Sequence, residues 1–199
     1  MNYIPQTTNA NVSFTHKSVI NTGVLWALTG VVIGLIPSVT GNQNSPMMGY
    51  ALSGLAFIIN IIILVVAIKK YRDDELGGYM TFGQGFLFIF FAAIYSGVIL
   101  GLFTFIQMTF IDPGMMDEMM NAQMAEMEKQ GMTEEQMEMA NSMTGFMKSP
   151  IFIAVVTVFS KIIGGIIMGL IISAIFKKDP PYNTPVAPMY KNPNEETTI

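Results

Sequence analysis

Four long apolar runs constrain this chain more than any other feature of its sequence. They cover approximately residues 18–39, 47–68, 82–111 and 151–176. A helix rises about 1.5 Å per residue and the hydrocarbon core of a bilayer is about 30 Å thick, so each run is long enough to span it. A soluble helix shows a polar residue at every third or fourth position of its wet face, and these runs do not. The pattern predicts an all-α, integral membrane four-helix bundle.

The composition agrees with membrane spans. Hydrophobic residues make up 51% of the chain and charged residues 12%, whereas an ordinary soluble domain has about 25% charged residues. We therefore expect one membrane domain over residues 18–178, with an N-terminal segment 1–17 and a Pro-rich tail 179–199 that we predict to be disordered. The first run is longer than the apolar core of a cleaved signal peptide, so we expect it to be a retained helix.

The charges between the runs differ in sign from one loop to the next. Positive residues lie beside the first run, after the second and after the fourth: Lys17, Lys69, Lys70, Arg72, Lys177 and Lys178. The loop 112–150 instead holds two lysines and eight acidic residues. Lys and Arg favour cytoplasmic loops. We therefore expect the N-terminus, the 69–81 loop and the C-terminus in the cytoplasm, with the acidic loop outside.

The acidic loop carries the start and stop signals of two helices. Asp112-Pro113 predicts the N-terminus of a first helix, Gly131 a break, and Thr133-x-x-Gln136 a capping box that opens a second. We expect an extracytoplasmic helical hairpin between spans 3 and 4. Thr81-x-x-Gln84 and Ser149-Pro150 similarly predict the N-termini of the third and fourth spans.

Methionines are concentrated in this loop, and two interpretations compete. Several recur at helical spacing, namely Met116, Met120, Met124 and Met127, followed by Met132, Met139, Met143 and Met147. One interpretation is an amphipathic surface that packs on the membrane, on itself or on a partner. The other is capture of copper(I), which thioethers suit. The loop has no Cys or His, and helix packing alone explains the spacing, so we favour packing.

Small residues recur along one face of each span. Glycines four residues apart form three pairs, Gly30 and Gly34, Gly97 and Gly101, and Gly165 and Gly169. Small faces let helix backbones approach closely in lipid, where hydrophobicity gives little drive to associate. These six glycines are therefore candidate helix-packing residues, for the bundle itself or for an oligomer.

Lys161 lies near the middle of the fourth span and is a candidate functional residue. A central lysine costs roughly 2.5–3.5 kcal/mol to insert, and none of the four runs contains an acidic residue to pair with it. The functional interpretation is a site for an anion, a proton or the carboxylate of a partner. The structural interpretation is a lysine that bonds to neutral acceptors such as Thr29, Asn60, Tyr95 or Ser96, or that snorkels to an interface.

Several short stretches resemble a known family. They are Tyr71-Arg72, residues 77–86 with the sequence GGYMTFGQGF, Ile111-Asp112-Pro113 and residues 131–136 with the sequence GMTEEQ. With the four-span layout they resemble an uncharacterised bacterial inner-membrane family, domain-of-unknown-function family 4199, over about residues 14–178. The resemblance implies a four-helix domain in the bacterial inner membrane with a long acidic loop after the third helix. It implies no activity.

The sequence favours a non-enzymatic function. The chain has no cysteine, its one histidine is His16, and its carboxylates all lie outside the spans, so no catalytic or metal-binding set is evident. We expect no cofactor, no metal and no nucleic-acid partner. The leading hypothesis is a scaffold or accessory subunit that contacts the lipid bilayer and a membrane or extracytoplasmic protein, or a second copy of itself. The alternative is a small transporter or channel acting as an oligomer, with Lys161 lining a path.

The charged turn at residues 71–75 also has two interpretations. It holds Tyr71 and Arg72 followed by three acidic residues. We favour a solvated loop that anchors the topology over a docking surface.

Overall fold

The computed structural model describes residues 12–40, 46–133, 135–139 and 149–179. Its helices are α1 (Lys17–Thr40), α2 (Pro46–Lys70), α3 (Phe82–Ile106), α4 (Met115–Lys129) and α5 (Pro150–Phe176). Residues 135–139 are also helical. Two π-helical turns, Tyr71–Glu75 and Gln107–Ile111, extend α2 and α3 without a break. The predicted disordered tail beyond residue 179 and the methionines at positions 143 and 147 lie outside the described residues.

Four of these helices are long and apolar enough to cross a membrane. They correspond to α1, α2 with its π-helical extension, α3 with its extension, and α5. This confirms the prediction of an all-α chain with four candidate spans and short helical segments between the third and fourth. It indicates a multi-pass membrane protein.

Helix α3 is the centre of the arrangement. It packs along α5 over most of its length and along α1 over a shorter stretch. Helix α2 packs mainly on α1 and touches α3 and α5 at only a few points. The fully buried side chains Val19, Leu64, Ile68, Phe88 and Ile89 come from α1, α2 and α3. Helices α1 and α5 therefore both pack closely on α3, and an open seam runs between α2 and α5, which have few contacts.

Close contact between α3 and α5 depends on glycine on both helices. A Cβ placed on Gly101 would lie 3.0 Å from the carbonyl oxygen of Ala154, and one on Gly97 would lie 3.1 Å from that of Val158. A Cβ on Gly165 would overlap the Cβ of Ala93, and one on Gly169 would meet the Phe86 ring at 3.2 Å. Backbones this close leave no room for a larger side chain, as expected for helices that associate in lipid.

The contact between α1 and α3 uses fewer glycines. A Cβ on Gly23 would lie 2.8 Å from the carbonyl oxygen of Ala92, so the two backbones approach closely there. Gly30 faces the flexible end of Leu100, while Gly34 has only the Phe103 ring near it, at 3.9 Å. Of the first glycine pair, Gly30 therefore lies against α3, whereas Gly34 lies where the contact between α1 and α3 is looser.

One end of the bundle is held together by the segment before α1 and the segments that follow α2 and α5. Met80 and Lys178 exchange two backbone hydrogen bonds, each 2.9 Å. The guanidinium of Arg72 donates to the carbonyl oxygen of Phe176 at 3.4 Å. His16 lies 3.2 Å from the carboxylate of Glu75, which also accepts a hydrogen bond from Ser18. The segment before α1, the 69–81 loop and the end of α5 thus meet at one face, as an even number of spans requires.

The charged turn at residues 71–75 differs from the solvated loop we favoured. It continues α2 as a π-helical turn, and its first residue, Tyr71, is only 2% exposed. The Tyr71 ring packs on Phe88 with centroids 4.6 Å apart and meets His16 edge-on at 5.7 Å. An aromatic ring buries a large apolar area, so Tyr71 belongs to the core while Asp73 and Asp74 stay exposed.

Two predicted capping boxes are present. The backbone N–H of Thr81 donates to Gln84 Oε1 at 2.9 Å, and the Gln84 N–H donates back to the Thr81 hydroxyl. Thr133 and Gln136 exchange the same pair of bonds, at 3.0 and 3.4 Å. Gly131 has a φ of 81°, which only glycine adopts freely, and it ends the preceding helical segment as predicted.

The predicted helix start at Asp112-Pro113 was wrong. Helix α4 begins at Met115, with Gly114 as its N-cap. The physical reason is the π-helical turn before it, because the Asp112 N–H donates to the Gln107 carbonyl at 2.8 Å and so closes that turn. At α5, Pro150 is at the first helical position as predicted, but the Ser149 side chain makes no capping hydrogen bond.

Adjacent glycines on α5 provide a matched test of this packing. We expect Gly165→Ala to destabilise the bundle by about 1–3 kcal/mol, because the new methyl group overlaps Ala93 on α3. Gly164→Ala should be neutral or stabilising, since a Cβ there meets nothing within 4 Å and alanine is favoured in a helix by roughly 1 kcal/mol. Denaturation of both variants in mixed micelles, followed by circular dichroism, measures the difference; equal stabilities would contradict the close contact.

Candidate functional site

A cavity of about 420 Å³ lies at the seam between α2 and α5. Its walls come from all four long helices, with Trp26 on α1, Asn60 on α2 and Leu100 on α3. The α5 wall includes Thr157, Lys161, Gly164 and Met168. Residues three or four apart share one face of a helix, so a single face of α5 lines the site.

The cavity opens sideways rather than toward an end of the bundle. Phe57 on α2 and Val156 on α5 both line it and are 58% and 42% exposed. These two side chains form a rim on the outer surface, where α2 and α5 have few contacts. In a membrane this surface faces lipid chains, so the opening leads to the hydrocarbon.

Lys161 reaches the indole ring of Trp26. Its Nζ lies 5.0 Å from the ring centroid, within the range of a cation–π interaction. Among the described residues, no carboxylate forms an ion pair with Lys161 and no hydrogen bond from its ammonium group is found. A desolvated cation–π contact contributes about 2 kcal/mol, which offsets part of the cost of placing a lysine at mid-span.

The structure does not pair Lys161 with any of the neutral acceptors that we considered. The Thr29 hydroxyl donates to the carbonyl oxygen of Leu25 at 3.1 Å, and the Tyr95 ring stacks on Phe14 at 4.5 Å. Asn60 Oδ1 and Ser96 Oγ are buried and have no hydrogen-bond partner in the described part of the chain. Asn60 lines the cavity with Lys161, whereas the other three do not.

Trp26 is the residue of the candidate site that the sequence analysis did not single out. It is the only tryptophan of the chain and is 4% exposed, and its indole N–H has no partner among the residues described. It lies nine residues after Lys17, the first residue of α1, whereas tryptophans of membrane proteins concentrate at the membrane–water interfaces. A lone tryptophan deep in a span was the signal that could have identified it.

The candidate glycines position the cavity but do not line it. A Cβ on Gly97 would lie 3.3 Å from the Cβ of Lys161, and one on Gly165 would lie 3.8 Å from the Trp26 ring. The close contact of α3 with α5 therefore fixes where Lys161 leaves its helix. Gly101 and Gly169 continue that contact on either side, and Gly30 and Gly34 lie along α1.

The groups that line the cavity suit the binding of a polar group. They combine a cation, an indole N–H, an amide and the hydroxyl residues Thr157 and Ser160 with a largely apolar wall. The described residues contain no group of three or more His, Cys, Asp or Glu side chains that could hold a metal ion. What the arrangement offers is recognition of an anion or a hydrogen-bond acceptor.

The fold and the site define a four-span membrane protein with a lateral cavity and a lysine at mid-span. The family model described as "Protein of unknown function (DUF4199)" matches residues 21–178. The chain belongs to this family, as the resemblance predicted, and the match covers all four candidate spans except the first residues of α1. No curated protein and no solved structure gives a significant match.

A double-mutant cycle tests the contact between Lys161 and Trp26. We expect Lys161→Met and Trp26→Leu to show a coupling energy of about 0.5–2 kcal/mol, the range of cation–π pairs. Unfolding in mixed micelles, followed by circular dichroism, gives the four stabilities. Lys69→Met combined with Trp26→Leu is the control, because Lys69 lies over the Phe176 ring instead. A coupling energy near zero in both cycles would show that the contact contributes nothing.

Proposed function

We propose that this protein is a non-enzymatic scaffold or accessory subunit of a membrane complex, and that helix α4 binds its partner on the extracytoplasmic side. The partner is an extracytoplasmic protein or the outer part of another membrane protein. We further propose that the chain is located in the bacterial inner membrane and has no catalytic activity of its own.

The observation that carries this proposal is the methionine face of α4. Met120, Met124 and Met127 are half-buried, while Asn121 and Ala125 beside them are exposed. The helix itself is well formed, since Asp117 and Glu118 lie in its first turn and Lys129 in its last, each at the favourable end of the helix dipole. Yet α4 has few contacts with the four long helices. A flexible apolar face of this kind suits binding to a protein surface.

The distribution of charge supports the proposed sidedness. Lys69, Lys70 and Arg72 lie at the end of the bundle where Met80 pairs with Lys178. Helix α4 follows α3 at the other end and carries mainly acidic charge. Because Lys and Arg favour the cytoplasm, this distribution supports a position of α4 outside it.

Substitution on two adjacent faces of α4 tests the proposed function. We expect the triple variant with serine at positions 120, 124 and 127 to lose the partner, with recovery reduced about tenfold or more, because three apolar contacts are removed. The measurement is photocrosslinking in intact cells, followed by purification of the tagged protein in mild detergent. The photoreactive side chain is at position 117, which is exposed and lies three residues before Met120 on the same side of the helix.

The control carries serine at Asn121, Ala125 and Glu128, which have the same spacing on the exposed face of α4. It should recover the partner at the level of the unmodified chain. Recovery of a lone, uncrosslinked monomer from all three proteins would contradict the scaffold proposal, and equal loss in both variants would contradict the role of the methionine face.

The alternative function, a small transporter or channel acting as an oligomer, is favoured by one observation. This observation is the cavity, which is lined by Lys161 and reaches from α2 to α5 within the membrane span. Flux of anions across liposomes that contain the purified chain, abolished by Lys161→Met, would support the alternative. Liposomes without measurable flux would leave the scaffold proposal in place.

A further inference from the structure

We propose that the cavity between α2 and α5 binds the carboxylate of a long-chain, membrane-soluble acid, with Lys161 as its counter-ion. This inference concerns a different part of the molecule from helix α4. It holds whether or not α4 binds a protein partner.

The first argument is the uncompensated charge. Lys161 has a cation–π contact with Trp26 but no carboxylate partner among the described residues. Ionisable residues within membrane spans usually pair with an opposite charge or face a functional path. The group that complements a single buried ammonium is a single negative charge, and a carboxylate also accepts its hydrogen bonds.

The second argument is the size of the cavity. Its volume of about 420 Å³ lies within the range of roughly 300–1,000 Å³ that is typical of small-molecule sites. A partner helix is about 10–12 Å across, so it cannot enter this space, and the acidic side chain of a helix outside the seam would fill only a small part of it. The volume therefore favours a small amphiphile.

The third argument is access and shape. The rim formed by Phe57 and Val156 opens toward the lipid chains, so a ligand dissolved in the bilayer can enter sideways. On α5 the lining runs from Ile153 to Met168, a distance of roughly 22 Å at the helical rise. Lys161 lies near the middle of this lining, so a head group beside it leaves about 10–12 Å of wall on either side. This length accommodates the first part of an extended alkyl chain, and the remainder extends through the rim into the lipid.

The fourth argument is the polar groups that line the site without partners. The Trp26 indole N–H and Asn60 Oδ1 are buried and make no hydrogen bond within the described residues. Buried polar groups without partners are costly and call for an explanation. A carboxylate beside Lys161 offers an acceptor to the indole N–H.

The single tryptophan makes the site directly observable. Trp26 lines the cavity and is the only tryptophan of the chain, so its fluorescence reports on this site alone. The probe is 9,10-dibromostearic acid, whose bromine atoms quench tryptophan at short range. The full-length protein is placed in phosphatidylcholine vesicles, and methyl 9,10-dibromostearate, which has the same chain without the charge, controls for partition into the lipid.

We expect saturable quenching by the acid, reversed by unbrominated oleic acid, and only weak, linear quenching by the ester. Lys161→Met should weaken the apparent affinity for the acid at least about tenfold, because it removes one partner of a buried charge pair. Lys161→Arg should restore most of it. Gly164→Leu should abolish saturable quenching with Lys161 intact, because a Cβ at Gly164 enters open space on the cavity wall and a leucine fills it.

Equal quenching by acid and ester, or an unchanged affinity in Lys161→Met, would overturn the proposal. If Lys161→Met does not fold, an unchanged affinity in Gly164→Leu would overturn it instead. A Trp26 emission that does not respond to the acid, together with loss of a protein complex in Lys161→Met, would assign the counter-charge to a protein carboxylate and likewise overturn it.

Discussion

Close contact between the backbones of α3 and α5 is the interaction on which the remaining structure depends. Lipid chains are as apolar as leucine, so helices in a bilayer associate through packing and polar contacts rather than by escape from water. At Gly97 and Gly101 on α3, and at Gly165 on α5, the neighbouring helix lies where any larger side chain would be. This contact fixes the rotation of α5, and with it the position of Lys161.

The other two helices pack less closely: α1 packs on α3, and α2 packs mainly on α1. Helix α1 approaches α3 at Gly23 and brings Trp26 to the edge of α5. Helix α2 is held mainly by α1 and by the π-helical turn that buries Tyr71 against Phe88. It lacks a close glycine contact, because a Cβ on Gly54 would meet nothing within 4 Å. The seam beside α2 therefore follows from the same packing rule that joins α3 to α5.

The sequence predicted the features that depend on local pattern and missed those that depend on three-dimensional contact. Span length, the Thr81 and Thr133 capping boxes and the break at Gly131 need only neighbouring residues. The two π-helical turns were not predicted, because a wider turn leaves no simple trace in hydrophobic spacing. The contact of Lys161 with Trp26 joins α5 to α1. No spacing rule within either helix could have predicted that pair. The sequence identified only Lys161, because a lysine at mid-span without an acidic residue in any span is unusual.

The open seam provides the space that the counter-charge of Lys161 needs. An ammonium group without a counter-charge costs several kcal/mol wherever water is excluded, whether α2 or lipid lies beside it, and among the described residues Lys161 has the Trp26 ring but no negative charge. The apolar side chains at the seam gain little by exchanging lipid for α2, because lipid chains are as apolar as they are. The gap therefore costs the bundle little, and Asn60 on the facing helix leaves a second polar group beside it. An occupant that supplies the opposite charge offsets the cost of the lysine, which is the physical basis of the binding proposed at the cavity.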